Sequence, residues 1–191
     1  MVNLSNFINK PNRIVSVDAS TNNIAYAIFE GDSLVKSGKA QFSGATIYKK
    51  ISSAVEIVYE VIKEMNVDAL VIERAVFINS PKTMSELSMV QGAILAGASL
   101  AGVRVFKGTN PVAWQSFIGN KVLTKEAKLD IVARFPGKSK SYYKAIEREI
   151  RKQRTIDFVN INYDLSIDDN DIADAVGIGH YSLRNWEKLG D

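Results

Sequence analysis

At 191 residues, 46% hydrophobic and 24% charged, the chain has the make-up of an ordinary globular domain, which excludes disordered, collagen-like and coiled-coil classes. It contains no cysteine, so disulfides, thiolate metal sites and cysteine nucleophiles are excluded together, and a reducing cytoplasm is the compatible setting. The net charge is only +3, but Lys138 to Arg154 holds seven basic residues against two acidic ones while the remainder sums to −2, so an anionic partner such as nucleic acid is expected on that one segment.

Residues 1–12 lack the apolar run of a signal peptide. Arg13 to Val17 is then a β-branched run ending on Asp18, and Ile24 to Phe29 is a second apolar run closed by the turn signal Glu30-Gly31-Asp32; both are predicted strands. Leu34 to Phe42 alternates and extends the meander, so three antiparallel strands are expected. Ile47, Ile51, Val55, Val58 and Ile62 recur at helical spacing and predict a helix over 47–65, and Val67 to Ile72 reads as a buried strand ending on Glu73. A helix is predicted over about 81–102. Its uncharged stretch, Leu87 to Val103, falls short of the about 20 apolar residues that span a bilayer, so it reads as buried and no membrane association is expected. Val103 to Phe106 is a short strand, Asn110-Pro111 opens a helix, Thr124 caps another that runs to about Phe135, and Pro136-Gly137 stops it. A last helix is expected from Asp168 or Asp169 to about Leu189. The order βββαβαβα predicts an α/β fold: a mixed five-stranded sheet, three antiparallel strands then two parallel ones, flanked by helices. We read 1–191 as a single domain with a basic helical insertion at about 138–156.

The acids carry the chemistry. Asp18 and Glu73 each terminate an apolar strand, and the helix between them makes parallel pairing, with both carboxyl ends at one sheet edge, the expected arrangement. Asp171 and Asp174 stand at i and i+3 among Ile172, Ala173, Ala175 and Val176, so one helix face is expected to aim both at the sheet. Alone, Asp171 is explained as a first-turn helix acid favoured by the macrodipole, whereas Asp174, flanked by two alanines, fits a buried helix poorly unless it has a task. Four converging carboxylates repel one another unless cations neutralise them. Hard Mg²⁺ is the natural ion, and two such ions can activate water and stabilise a leaving oxygen.

The segments Ile14-Val15-Ser16-Val17-Asp18-Ala19-Ser20-Thr21, Val71-Ile72-Glu73 and Asp171-Ile172-Ala173-Asp174-Ala175 resemble the three acidic motifs of RuvC-type Holliday junction resolvases. The likeness extends to Val90-Gln91-Gly92-Ala93 and from Val105-Phe106 to Phe117-Ile118-Gly119, and so covers most of the chain. This resemblance implies an RNase H-like fold and an endodeoxyribonuclease that resolves four-way DNA junctions by paired nicks as a homodimer. It also implies two Mg²⁺ ions per active site, replaceable by Mn²⁺, on Asp18, Glu73, Asp171 and Asp174, and a cytoplasmic location in a bacterial or phage-infected cell. Phe77 is the candidate for the family's base-stacking aromatic residue. Trp114 stands where many members carry a lysine, which passes that basic role to Lys107, Lys121 or Lys125.

On a helical wheel Lys140, Lys144, Arg148 and Arg151 form one basic stripe that can track a phosphate backbone; a solvated face laced by pairs such as Glu147 with Arg151 is the competing account. Gly92, Ala93, Ala96, Gly97 and Ala98 mark helix 81–102 as the candidate dimer interface, although packing on its own sheet would use the same residues. His180, rotated roughly 120° from Asp174 on an ideal helix, is read as structural or surface. A nuclease acting on RNA–DNA hybrids or other branched DNA would use the same acids. An actin-type ATPase would need a second phosphate hairpin and a glycine-rich adenine site, neither of which the sequence offers, and the retained acids argue against an inactive DNA-binding scaffold.

Overall fold

The structure, a computed structural model, describes residues 10–75 and 80–190. Strands β1 (Arg13–Ala19), β2 (Asn23–Glu30), β3 (Ser33–Gln41), β4 (Ala69–Glu73) and β5 (Val105–Thr109) form one sheet in the order β3-β2-β1-β4-β5. The first three are antiparallel, and β4 and β5 run parallel to β1, the α/β arrangement expected from the sequence. Phe77 lies outside the described residues.

Alternation along the buried strands divides the core in two. Val15, Val17, Ile28, Leu70 and Ile72 face helices α1 (Ile47–Ile62) and α2 (Pro81–Leu100), meeting Val58, Ile62, Val90 and Ile94. Ile14, Ala27, Phe29, Ala69 and Val71 face the other way, toward α3 (Pro111–Phe117), α5 (Lys140–Tyr163) and α6 (Asn170–Arg184). Helix α4 (Lys125–Arg134) packs beside α5, and a 3-10 turn, Trp186–Lys188, follows α6. Because side chains alternate along a strand, Asp18 shares the α6 side with Ile14 and Ser16, and Glu73 shares it with Ala69 and Val71.

Helix α6 lies close against that sheet face because two of its residues are glycines. A Cβ at Gly179 would sit 2.1 Å from Phe29 Cε2 and 2.6 Å from Ser16 Oγ, and one at Gly177 would sit 2.9 Å from Trp114 Cζ3. The Ser16 hydroxyl closes the contact by donating to the Ala175 carbonyl at 2.7 Å.

Helix α1 ends at Ile62 rather than Met65 and β4 starts at Ala69 rather than Val67, and three further boundaries differ from expectation. Strand β5 starts at Val105 because Gly102, at φ 100, turns the chain and Val103 N–H returns to the Ala98 carbonyl. Helix α5 does not stop near residue 156: Ile156 and Val159 are buried against α6, and the helix runs to a left-handed cap at Asp164, φ 51. Helix α6 ends at Arg184 rather than near Leu189, where Asn185 leaves helical geometry and its side chain bonds back to the Tyr181 carbonyl at 3.1 Å. On α2, Gly97 meets Val55 of α1 while Ala93 and Ala98 are buried; Gly92 and Ala96 face outward. No described helix is long and apolar enough to cross a membrane.

Candidate active site

Val17 pairs with Ile72 in the parallel β1–β4 register, so the next residues, Asp18 and Glu73, stand level at the carboxyl edge of adjacent strands and on the same face. Helix α6 brings Asp174 to that face, with Ala173 and Ala175 buried on either side of it. Their proximity shows in their ionisation. Burial first, then the charges of Glu73, Asp174 and Asp171, hold Asp18 well above the usual carboxylate range, against the opposing pull of Lys39. Burial, Glu73 and Asp171 push Asp174 up to about 7, although the Thr155 hydroxyl and Lys152 draw it down. Burial raises Glu73 as well, opposed by a hydrogen bond from Trp114. The structure thus brings all four predicted acids into one electrostatic cluster.

Glu73 and Asp171 also have protein partners. The indole Nε1–H of Trp114 donates to Glu73 Oε2 at 2.5 Å. Lys39 on β3 pairs with Asp171 and, at 3.1 Å, with Asp169, the residue whose carboxylate caps α6 by accepting from the amides of Asp171 and Ile172. Asn170 Nδ2 donates to Asp171 at 2.9 Å. Among the described residues, no group of three or more His, Cys, Asp or Glu side chains stands in metal-holding spacing.

Beside Asp174 opens a groove of about 410 Å³, lined by Lys144, Arg148, Arg151 and Lys152 of α5 together with Gln115, Asn120, Thr155 and Asn170. Three of the four stripe residues therefore share a cavity wall with a site acid; Lys140, the first residue of α5, is exposed and stands outside that lining. Arg151 is anchored by Gln115 Oε1, whereas Lys144 and Arg148 are exposed. Glu147 pairs with Lys128 at 3.0 Å. Lys121 lines an adjoining cavity of about 160 Å³. Lys107 lies mid-strand opposite Val71, and Lys125 begins α4; neither lines the groove. Tyr142 and Tyr143 pack at the α4–α5 corner, where the Tyr143 hydroxyl donates to the Phe135 carbonyl at 2.7 Å.

His180 is structural. It is 8% exposed, its Nδ1 lies 2.8 Å from the Tyr163 hydroxyl, and burial lowers its pKa to about 4, so it is neutral at physiological pH. Sequence reasoning set Trp114 at the place of the family's lysine but gave it no role, and it missed Lys39, Thr155 and Lys152 as parts of the site.

No family model matches the sequence, and no curated protein matches it. Solved structures do. RuvC of Thermus thermophilus in complex with a Holliday junction substrate aligns at a TM-score of 0.66 and 14% identity, over 93% of this chain and 98% of its own. Another Thermus thermophilus RuvC structure aligns at 0.61 and 15% identity with the same coverage. The yeast mitochondrial Holliday junction resolvase Ydc2 aligns at 0.52 and 12% identity, over 90% of this chain and 77% of its own. These likenesses show the fold alone: the sheet and its flanking helices are arranged as in the RuvC structures.

Proposed function

We propose that this chain is a divalent-metal-dependent endodeoxyribonuclease that resolves four-way DNA junctions by paired nicks. The observation that carries the reading is the convergence of Asp18, Glu73 and Asp174 from β1, β4 and α6 on one buried, charge-coupled cluster beside a cation-lined groove. A hydrolase for a polyanion needs both halves: acids to hold cations and basic groups to hold phosphates. The fold it shares with RuvC bound to a Holliday junction substrate supports the junction as substrate.

The donor set fits Mg²⁺. It is all carboxylate oxygen, and Asp18 and Asp174, raised first by burial and then by the charges of neighbouring acids, are groups whose ionised form a hard cation would stabilise. When bound, two Mg²⁺ ions, or Mn²⁺ in their place, supply the charge that activates water and stabilises the departing oxygen. Asp18, Glu73, Asp171 and Asp174 are the proposed ligands, with Lys39 setting how far Asp171 turns toward its neighbours. Lys144, Arg148 and Arg151 hold the phosphates leading to Asp174, with Lys140 at the outer end of the stripe, and Phe77, Lys107, Lys121 and Lys125 are assigned to DNA by resemblance.

Paired nicks need two active sites in fixed relation, which a two-fold homodimer supplies. The outward face of α2, with Gly92, Ala96, Met89 at 43% exposure and Leu100 at 69%, is the proposed contact.

The test is a nicking assay on a synthetic four-way junction, an RNA–DNA hybrid and a linear duplex, each with Mg²⁺, Mn²⁺ or EDTA. Nicking of the junction with either ion and none in EDTA is expected. Asp174→Asn removes a charge without adding bulk, so it abolishes nicking and leaves junction binding intact. Undiminished nicking by Asp174→Asn, or cleavage of the hybrid alone, overturns the reading.

A further inference from the structure

Glu73 is held from two sides by groups that bear no charge. Gln91 Nε2 on α2 donates to its backbone carbonyl at 3.0 Å, and Trp114 Nε1 on α3 donates to its carboxylate. The Trp114 indole is fully buried, and its ring lies against Gly177 of α6, three residues beyond Asp174. Helix α3 is itself fixed directly after β5: Asn110 caps it by accepting from the Val112 amide at 2.8 Å, and Thr109, one residue earlier, is the register partner of Glu73. One side chain therefore joins the acid of β4 to the helix that carries Asp174.

An indole differs from a lysine at this place in two physical respects. It is neutral, so it orients the carboxylate without cancelling the negative charge that a cation needs. It also has a single donor, so it engages one carboxylate oxygen and leaves the other.

Resting on the metal-dependent reading above, we propose that Trp114 is a positioning residue for cation binding: it fixes Oε2 of Glu73, so that Oε1 alone is presented to the divalent ion. Glu73 is then a monodentate ligand, the mode that suits an octahedral Mg²⁺ retaining several waters. Hydrogen-bonding partners of metal ligands are worth on the order of 10- to 100-fold in metal affinity, which sets the expected size of the effect.

The chain has two tryptophans, so a ¹H–¹⁵N correlation spectrum of the intact protein shows two indole N–H signals, and Trp114→Phe assigns them. On titration with Mg²⁺ the Trp114 signal is expected to shift saturably, and Glu73→Gln to displace it at the start and abolish the response. In nicking assays Trp114→Phe is expected to raise the Mg²⁺ concentration for half-maximal rate by about 10-fold or more, with the KM for junction unchanged. A Trp114 signal indifferent to both Mg²⁺ and Glu73→Gln overturns the proposal, as does a Trp114→Phe protein with the parent's Mg²⁺ dependence. If that variant fails to fold, Trp186→Phe assigns the two signals instead, and the spectrum of the unaltered protein still decides. An unaltered protein that neither binds Mg²⁺ nor nicks a junction instead sinks the nuclease reading, and the two failures are told apart by that control.

Discussion

Two missing side chains set the depth of Asp174. Gly177 and Gly179 let α6 settle onto Trp114, Phe29 and Ser16 at separations that no Cβ permits. Gly179→Ala places a methyl 2.1 Å from the Phe29 ring, and both neighbours are fully buried, so neither can move aside cheaply. We expect a loss of about 3 kcal/mol, at the upper end of overpacking costs, seen as an earlier urea midpoint with an unchanged m-value. A Gly179→Ala protein as stable as the unaltered chain would refute the close-approach account. Asp171 alone passes for a first-turn helix acid, whereas Asp18, Glu73 and Asp174 were legible at this scale because each breaks a local rule, by ending an apolar run or interrupting alanines. Lys39 was not, since in an alternating strand it looks like any solvent-facing lysine. Only the pairing register places it in one row across the sheet with Ala25 and Asp18. Trp114 was noticed only as the absence of a lysine: its ring is core, and its one polar atom gains meaning only from the fold around Glu73.

Helix α5 does two jobs along its length. Its second half buries Ile156 and Val159 under α6, while its first half presents Lys144 and Arg148 to the groove. The basic stripe was legible from helical periodicity, but the helix was expected to end some seven residues early because Ile156, Phe158, Val159, Ile161 and Tyr163 recur at nearly every second residue and mask the helical period. Arg151 stands where the two halves meet: Gln115 holds its guanidinium, and its Nε is buried without a partner among the described residues. These placements separate the stripe into unequal members. Neutralising Lys144 and Arg148 together is expected to lower the salt slope of junction binding by roughly 1.8, at about 0.9 per phosphate contact, with the melting temperature unchanged. Arg151→Ala is expected to weaken binding and to lower the melting temperature as well, because it strips Gln115 of its partner. Fluorescence anisotropy across a salt series reads the first effect and thermal unfolding the second. A slope that stays constant in the double variant would return Lys144 and Arg148 to the solvent.

Over the whole molecule, the charge arrangement makes stability depend on pH in a direction that can be derived. Asp174 moves from 3.8 to about 7 on folding, and Asp18 and Glu73 move upward too, so between those limits the folded chain holds protons that the unfolded chain releases. By linkage, stability is then greatest below the unfolded carboxylate range and falls as pH rises toward 7. For Asp174 alone the conversion of 1.36 kcal/mol per unit gives on the order of 4 kcal/mol. His180 acts oppositely: its pKa drops from 6.5 to about 4, so its contribution is complete above 6.5 and is lost as pH falls toward 4. Between about 4 and 6.5 His180 therefore opposes Asp174, whose own contribution continues to fall until about 7. In EDTA the melting temperature is expected to fall from pH 6 to pH 8. Mg²⁺ reverses that trend, because it binds ionised carboxylates and stabilises the folded state alone; at 100 times its Kd this amounts to about 2.7 kcal/mol, or about 5–10 °C for a chain of this size. Asp174→Asn has no proton to hold, so it flattens the decline in EDTA and shrinks the gain from Mg²⁺ at pH 8. Unfolding curves across pH with and without the ion would contradict this account if the EDTA profile were flat in the unaltered protein, since three acids gathered from β1, β4 and α6 cannot be buried together without that cost.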